Sequence, residues 1–204
     1  MNILFTSNRF FPDIGGIESV SSLLASYFVE AGHSLRLITQ SVGDPAVDRQ
    51  RFNFSIVRQP SFLDLLACYR WSDLVYQNNI ELRQLWPAPL FRRPLIIGLH
   101  TWIRSAEGHR SSVHRLKQLA LHGASEVVAC SEAIRADSID RALVIGNPYP
   151  NRLFRLLPNQ PRRSAIVFLG RLVSDKGVDL LLKAYAALGR LDWPLTIIGT
   201  GSEG

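Results

Sequence analysis

The sequence predicts an α/β fold in which parallel strands alternate with helices in a Rossmann-like sheet. Short apolar runs rich in β-branched residues recur along the chain, and a helical pattern follows most of them. The same pattern restarts after a proline-rich segment. The 204 residues, 47% of them hydrophobic, are enough to bury a core in one large domain or two small ones. This composition excludes collagenous and low-complexity chains.

The apolar runs are compact and are bounded by polar or turn-forming residues, as strands are. None approaches the ~20 residues that a membrane-spanning helix requires, so nothing in this sequence is expected to span a bilayer. The predicted strands are residues 2–6, 35–40, 54–57, 73–77, 95–100, 126–130, 142–145, 165–169 and 195–198.

Hydrophobic periodicity is clearest in the first predicted helix, which Gly32 follows as a stop signal. Apolar residues recur at helical spacing in this first helix and predict a stripe that packs on the sheet: Ile17, Val20, Leu24, Tyr27, Phe28 and Ala31. A second helix is predicted over residues 178–188.

A proline-rich segment divides the chain, since proline removes a backbone donor and resists regular structure. We predict an N-terminal domain over residues 1–148, a linker over 149–163 and a partial C-terminal domain over 164–204. The last segment can form only a strand-helix-strand unit, which leaves much of a sheet face uncovered. We therefore expect the chain to be a fragment of a longer protein.

The net charge of +6 is concentrated between Arg83 and Lys117, where Glu107 is the only acidic residue. Such a segment favours an anionic partner (phosphate, acidic lipid or nucleic acid) or is a solvated helix face. Nucleic acid ranks last, because no stacking aromatics or nucleic-acid motif accompany it. The N-terminus lacks a secretory signal, which predicts a cytoplasmic protein. The alternative location is peripheral, at the inner face of the membrane. Cys68 and Cys130 are predicted to be reduced core residues.

Two glycines, Gly15 and Gly16, connect the first predicted strand to the first helix. A bare backbone at a helix N-terminus lets a phosphate approach free N–H groups. The alternative is a tight turn in which Glu18 complements the helix dipole. A dehydrogenase is disfavoured, because G-x-G-x-x-G is absent and the second strand ends without the acidic residue that binds ribose.

A second strand-to-helix turn carries Arg171, Lys176 and Gly177. Arg171 can hold two phosphate oxygens and Lys176 adds a point charge, so this turn also suits an anion. The alternative is a polar loop with a surface pair between Asp175 and Lys176, which stabilises little.

His100 ends the fifth predicted strand, and α/β sheets place their sites at the carboxyl ends of strands. We expect His100 to stand beside the loop of Gly15 and Gly16. The alternative is a structural histidine with satisfied hydrogen bonds. Glu18, Thr101, Ser131 and Asn147 are weaker candidates.

The motif Pro12-x-x-Gly15-Gly16-x-Glu18, combined with Gly170-Arg171-x-x-x-x-Lys176-Gly177, resembles the GT4 family of glycosyltransferases. Leu99-His100-Thr101, Val127 to Ser131 and Ile145 to Pro148 are similar to that family as well. The resemblance implies a GT-B architecture, with two Rossmann-like domains and a nucleotide-diphosphate sugar as donor. It also implies transfer with retention of configuration, without a metal or any cofactor besides the donor substrate.

The resemblance further implies which residues act. Gly16 is expected at the donor phosphates or sugar, with Gly15 next to it, and His100 at the transferring sugar. Arg171 and Lys176 are expected at the diphosphate. Gly199 and Gly201 lie in a loop similar to a donor-binding loop of that family. The family's Glu-x7-Glu element is not found in residues 192–204, so we expect this chain alone to transfer no sugar.

The acceptor is left open as a glycan, a lipid-linked saccharide or a small molecule. A helix is predicted over residues 109–121, with Val113, Leu116 and Leu119 on one side and Arg110, Arg115 and Lys117 toward the other. These cations could face an anionic membrane surface, or the helix could cover the sheet with a solvated outer face. The alternative to an enzyme is a non-catalytic α/β module that binds anions or a membrane surface.

Overall fold

The computed structural model describes residues 1–103, 112–158, 161, 164–189 and 192–202. It divides into two compact units, Met1–Phe154 and Arg155–Gly204, each of which is described by itself. The division falls inside the segment 149–163, and the domain limits given above stay a prediction. None of the helices formed by the described residues is long and apolar enough to cross a membrane.

The first unit is built on a seven-stranded parallel sheet, which confirms the predicted α/β class. Along the sheet the strands follow the order β3-β2-β1-β4-β5-β6-β7. The strands are β1 (Asn2–Ser7), β2 (Ser34–Thr39), β3 (Ser55–Arg58), β4 (Leu74–Asn78), β5 (Leu95–Leu99), β6 (Glu126–Ala129) and β7 (Leu143–Val144).

Helices connect these strands, as parallel pairing requires. They are α1 (Gly16–Glu30), α2 (Pro45–Arg51), α3 (Phe62–Trp71), α4 (Leu82–Leu85), α5 (Ala88–Phe91), α6 (Ser112–Gly123) and α7 (Glu132–Ser138). In the second unit, β8 (Ile166–Leu169) and β9 (Leu195–Ile198) pair in parallel around α8 (Val178–Ala187). Every predicted strand is present, with ends that differ from the prediction by a residue or two.

Two apolar clusters cover the two faces of the sheet, because successive side chains of a strand point to opposite faces. One cluster contains Leu4 of β1 and packs against α3. The other contains Ile3 and Phe5 and packs against α1. Phe5 stacks on Tyr76 of β4 with ring centroids 5.0 Å apart. The central strands are therefore buried on both sides, as parallel strands usually are.

The buried face of α1 differs from the predicted stripe. Val20, Ser21 and Ala25 are its buried residues, whereas Tyr27 is exposed at the end of the helix. Small side chains on the inner face allow the helix to approach the sheet closely. That approach brings the hydroxyl of Ser21 to Ser7 of β1, at 2.9 Å between the two oxygens.

The outer helix α6 departs from the expectation that its apolar side covers the sheet. Val113, Leu116 and Leu119 are 53%, 53% and 69% exposed, and only Leu121 of this helix is buried. The predicted helix began at residue 109, and residues 109–111, including Arg110, lie outside the described residues. The apolar side of α6 therefore faces outward in the described part of the unit.

A buried ion pair holds the loop that follows β1. Arg58, the last residue of β3, donates from Nε and Nη2 to the two carboxylate oxygens of Asp48 at 2.8 and 2.7 Å. Its Nη2 also donates to the carbonyl of Phe11 at 2.8 Å, and its Nη1 to that of Ser41 at 3.0 Å. Arg58 thus ties the loop that leads to Gly15 to the neighbouring strands.

Replacing Arg58 should loosen this loop and destabilise the fold. Arg58→Met leaves Asp48 buried without its partner, so we expect the free energy of unfolding to fall by about 3 kcal/mol or more. Arg58→Lys should recover little of this, because an ammonium cannot make the two-pronged contact. Urea denaturation measures both changes.

The matched control is Arg49→Met on α2, where the arginine is exposed. This change should alter the free energy of unfolding by less than about 0.5 kcal/mol. Equal losses from the two substitutions would contradict the structural importance of Arg58.

Candidate functional site

The candidate site lies where β1, β4 and β5 reach the carboxyl edge of the sheet. Chain direction across the sheet reverses between β1 and β4, and such a switch point opens a crevice in α/β sheets. Ser7 and Asn78, the last residues of these two strands, are paired in register. The start of α1 and the residue that follows β5, His100, meet this edge as well.

His100 is held by hydrogen bonds at both nitrogens of its imidazole ring. Nδ1 lies 2.8 Å from Oδ1 of Asn147, and Nε2 lies 2.7 Å from Oδ1 of Asn78. Burial lowers the pKa of His100 below its ordinary value, and the hydrogen bond with Asn147 raises it in opposition. Because burial is the larger effect, the ring favours its neutral form.

Asn78 links His100 to the first helix. Its Nδ2 donates to Oγ of Ser21 at 2.7 Å and faces the carbonyl of Ile17 at 3.4 Å. Ser21 in turn lies 2.9 Å from the hydroxyl of Ser7. A continuous polar network therefore runs from β1 and α1 through β4 to His100 and Asn147.

The expectation that His100 stands beside the loop of Gly15 and Gly16 stays a prediction. The strand β4 lies between β1 and β5, and its last residue, Asn78, bridges His100 and the first helix. Sequence reasoning missed Asn78. The sequence did contain a signal for Asn78, since it is a polar residue at the end of a predicted strand. The same kind of signal identified His100 as a candidate.

Gly15 and Gly16 begin α1, as predicted, and they differ in their surroundings. The side chain of Glu18 folds back over Gly15, where it would meet a Cβ atom. A Cβ on Gly16 would meet nothing within 4 Å. Among the described residues, no side-chain hydrogen bond caps this helix N-terminus, and the carboxylate of Glu18 lies beside it. The open space adjoins Gly16.

The weaker candidates have different surroundings. Thr101 is exposed and pairs with the side chain of Asn79, whose Nδ2 donates to the Thr101 hydroxyl at 3.0 Å. Ser131 caps α7 by accepting a hydrogen bond from the N–H of Ile134 at 3.3 Å. In the described part of the chain, Asn147 is the one of these three whose side chain lies within hydrogen-bond distance of the His100 ring.

The predicted anion loop of the second unit joins β8 to α8. Arg171 is exposed, and Lys176 ends a 3-10 turn in which its Nζ lies 3.8 Å from Asp175. Gly177 follows with φ of +67°, a conformation that favours glycine, and begins α8. An exposed pair at this distance stabilises little, so the ammonium of Lys176 is available to another anion.

Gly199 and Gly201 have a packing requirement that the sequence did not show. A Cβ on Gly199 would overlap the carbonyl of Gly170, and one on Gly201 would overlap the backbone of Leu172. The N–H of Leu172 donates to the carbonyl of Thr200 at 2.9 Å. These glycines thus bring their loop against the one that carries Arg171.

Cys68 is buried and Cys130 is half-buried. Burial raises the pKa of the Cys68 thiol, and both cysteines are free. Over the described ranges, no three histidine, cysteine or acidic side chains cluster closely enough to hold a metal ion.

The lowered pKa of His100 determines how this residue affects stability at acidic pH. The unfolded chain binds the proton near the ordinary pKa of about 6.5, whereas the folded ring resists protonation. Below about 6.5 the unfolded state therefore holds more protons, and the free energy of unfolding falls as pH decreases. Above that pH the contribution is constant.

Urea denaturation at about pH 7.5 and at about pH 5.0 tests this expectation, since the two pH values lie on opposite sides of the ordinary histidine pKa. The wild type should lose more stability between the two pH values than His100→Gln, whose amide does not titrate. Equal losses would show that the folded ring takes up its proton as readily as the unfolded one.

Comparisons with known proteins agree with this architecture. The phosphatidylinositol N-acetylglucosaminyltransferase gpi3 subunit of Schizosaccharomyces pombe is 25% identical over 211 residues, covering 86% of this chain and 45% of that protein. HepE of Anabaena, solved with UDP and glucose, is 20% identical with a TM-score of 0.72. That match covers 98% of this chain and 61% of HepE.

A glycosyltransferase of Rickettsia africae shares the fold as well, with a TM-score of 0.66 at 18% identity. The match covers 97% of this chain and 60% of that one. The chain thus spans less than half of its curated relative and about three fifths of these structures. The model of glycosyltransferase family 4 matches residues 14–159. Because this match covers most of the length of the chain, the chain belongs to glycosyltransferase family 4.

Proposed function

We propose that this chain acts in a retaining glycosyltransferase, which moves a sugar from a nucleotide-diphosphate sugar to an acceptor hydroxyl. The observation that carries the proposal is the polar network around His100 at the switch point of the sheet. Crevices at such points are the usual ligand sites of α/β folds, and sugars require convergent polar groups. Membership of family 4 and the UDP and glucose bound to HepE support the same proposal.

Two features suit a diphosphate. The uncapped N-terminus of α1, with open space beside Gly16, offers N–H groups to an anion. Arg171 and Lys176 offer two cations on an exposed loop of the second unit. Fixed groups of either kind stabilise the negative charge that develops on a leaving diphosphate, and we propose that this requires no metal ion or further cofactor.

The proposed transfer exchanges one bond for another at the anomeric carbon. The bond from that carbon to the diphosphate oxygen breaks, and its electron pair leaves with the diphosphate. The acceptor oxygen bonds on the face from which the diphosphate departs, which retains the configuration. The acceptor proton leaves with the diphosphate, so charge and atoms balance.

Removing either cation should weaken donor binding. We expect Arg171→Ala or Lys176→Ala to raise the dissociation constant for UDP by about ten- to a hundredfold, since each loses a charged hydrogen bond. Isothermal titration calorimetry with UDP measures this change. Lys183→Ala on α8 is the matched control, because Lys183 is also exposed and pairs only with Asp179 among the described residues.

An assay of UDP release from UDP-glucose, with and without an acceptor, tests the enzyme and the expectation that this chain alone transfers no sugar. Release or transfer supports the enzyme and contradicts that expectation. UDP binding without either agrees both with that expectation and with the non-catalytic anion-binding module. Unchanged UDP affinity in both Arg171→Ala and Lys176→Ala would contradict the role of this loop.

We also propose that the acceptor is presented at an acidic membrane surface, to which the protein binds peripherally from the cytoplasmic side. The observation that favours this is an apolar groove of about 880 Å³ between α4, α5 and α6, with Arg92 and Arg93 among its lining residues. The relative gpi3 subunit is named for phosphatidylinositol, an acidic lipid. The apolar lining includes Leu82, Leu85, Trp86, Leu95, Leu116 and Leu119.

The exposed apolar side of α6 and its adjacent cations give this surface the character of an interfacial helix. Leu116 and Leu119 can enter the headgroup region, while Arg115 and Lys117 attract acidic lipid. Arg110 extends the cationic part of the proposal, and it lies outside the described residues. Each cation contributes about 1 kcal/mol near such a surface.

Co-sedimentation with vesicles tests this proposal. Binding to phosphatidylcholine vesicles that contain phosphatidylserine should weaken with added salt. The double change Arg115→Ser and Lys117→Ser should weaken it by about 25-fold, or fivefold for each cation. Leu116→Ser with Leu119→Ser should weaken it as well, because the apolar contact is lost.

The control is Arg152→Ser with Arg155→Ser, which removes the same charge from exposed positions elsewhere. These changes should leave vesicle binding close to that of the wild type. Equal binding of the wild type to vesicles of pure phosphatidylcholine, or no binding to acidic ones, would overturn the membrane proposal and leave the donor proposal intact.

A further inference from the structure

The side-chain amide of Asn78 is confined on both of its ends. It is fully buried at the end of β4. Its Nδ2 faces two oxygens of α1, the hydroxyl of Ser21 at 2.7 Å and the carbonyl of Ile17 at 3.4 Å. A carbonyl can only accept a hydrogen bond, so an Oδ1 turned toward it would place two acceptors face to face. The amide therefore keeps its NH2 group toward the helix.

The serine hydroxyls reinforce this orientation. Ser21 lies 2.8 Å from the carbonyl of Ile17, to which its single proton is donated, and Ser7 lies 2.7 Å from the carbonyl of Arg9. Ser21 and Ser7 also face one another. With these acceptors around it, the Ser21 proton is directed away from Asn78, and the Ser21 oxygen accepts from Nδ2.

The orientation of Asn78 determines which ring nitrogen of His100 carries the proton. With Nδ2 toward the helix, Oδ1 faces Nε2 of His100 at 2.7 Å. An amide oxygen donates nothing, so the proton of this short hydrogen bond must come from the ring. A neutral imidazole with a protonated Nε2 has its lone pair on Nδ1.

The other nitrogen faces the open side of the site. Nδ1 contacts only the exposed side chain of Asn147 within the part of the chain described here, at 2.8 Å. No second hydrogen bond of the described residues holds the Asn147 amide, so it can turn its NH2 group to the Nδ1 lone pair. It can equally turn away and leave that lone pair to a ligand.

We propose that Ser21 and Asn78 are positioning residues which hold His100 as the Nε2–H tautomer, so that Nδ1 accepts a hydrogen bond from a hydroxyl of the bound sugar. The hydroxyl as ligand rests on the proposed glycosyltransferase function. The tautomer rests on the geometry alone. His100 is on this account a hydrogen-bond acceptor for a neutral group and not a cation for the diphosphate.

The long-range 1H–15N NMR spectrum of the histidines in the full chain at about pH 8, well above the ordinary histidine pKa, tests the tautomer. His100→Gln identifies the signals of His100. In the wild type Nε2 should show the protonated shift and Nδ1 the unprotonated one, with less than about one-tenth of the other tautomer. An unprotonated Nε2 would overturn the proposal.

Two substitutions test the positioning residues. Ser21→Ala removes the nearer acceptor of Nδ2 and leaves only the carbonyl of Ile17 at 3.4 Å, so the second tautomer of His100 should become detectable in the spectrum. Ser19→Ala is the matched control, because Ser19 lies on the same helix and bonds only the carbonyl of Gly15 among the described residues. Its spectrum should equal that of the wild type. A single Nε2–H tautomer in Ser21→Ala would remove Ser21 from the proposal.

The role of buried Asn78 can be tested with a substitution that keeps the size and shape of its side chain. Asn78→Asp keeps an oxygen acceptor for Nε2, so this nitrogen should stay protonated, while Asn78→Ala should release both tautomers. Melting curves identify a variant that fails to fold, and in that case the wild-type spectrum and Ser21→Ala decide the question.

Addition of UDP-glucose tests the ligand. The Nδ1 signal should move toward the protonated position with UDP-glucose and stay in place with UDP alone. Binding of UDP-glucose without movement of Nδ1 would overturn the hydroxyl contact. Failure of UDP-glucose to bind would count against the proposed function, whereas the tautomer is decided by the ligand-free spectrum.

Discussion

Parallel pairing between β1 and β4 sets the geometry of the candidate site, because the chain reverses its direction across the sheet at this pair. The reversal leaves α1 on one side of the crevice and the loop after β5 on the other. Asn78, paired in register with Ser7, occupies the point between them and connects the two by hydrogen bonds. The site exists because the central strands end at the same level.

The sequence was sufficient for the α/β class and the strand pattern, because hydrophobic periodicity is a local signal. It was insufficient for Asn78, because the value of that residue depends on which strands are neighbours. The same limit applies to α1, where the apolar stripe suggested Tyr27 at the sheet and the structure places Ser21 there. Close packing between helix and sheet favoured a small polar side chain that can join a network.

Glycines illustrate how one residue type serves two needs. At Gly199 and Gly201 the backbone of a neighbouring loop occupies the space of a side chain, so packing within the second unit requires glycine. Beside Gly16, and apart from its chain neighbours and its own helix backbone, no atom of the described residues lies within 4 Å of that space. Packing therefore gives no reason for glycine at position 16, whereas a ligand that approaches the N-terminus of α1 would give one.

Among the described residues, the polar network around His100 is made of uncharged groups. These groups are amides and hydroxyls, and burial favours the uncharged imidazole. A cationic imidazole would leave no lone pair to accept a hydrogen bond from a hydroxyl and, in the proposed function, would favour the phosphates over the sugar. Burying the ring between two asparagines avoids both outcomes, because an amide bonds either nitrogen without adding charge.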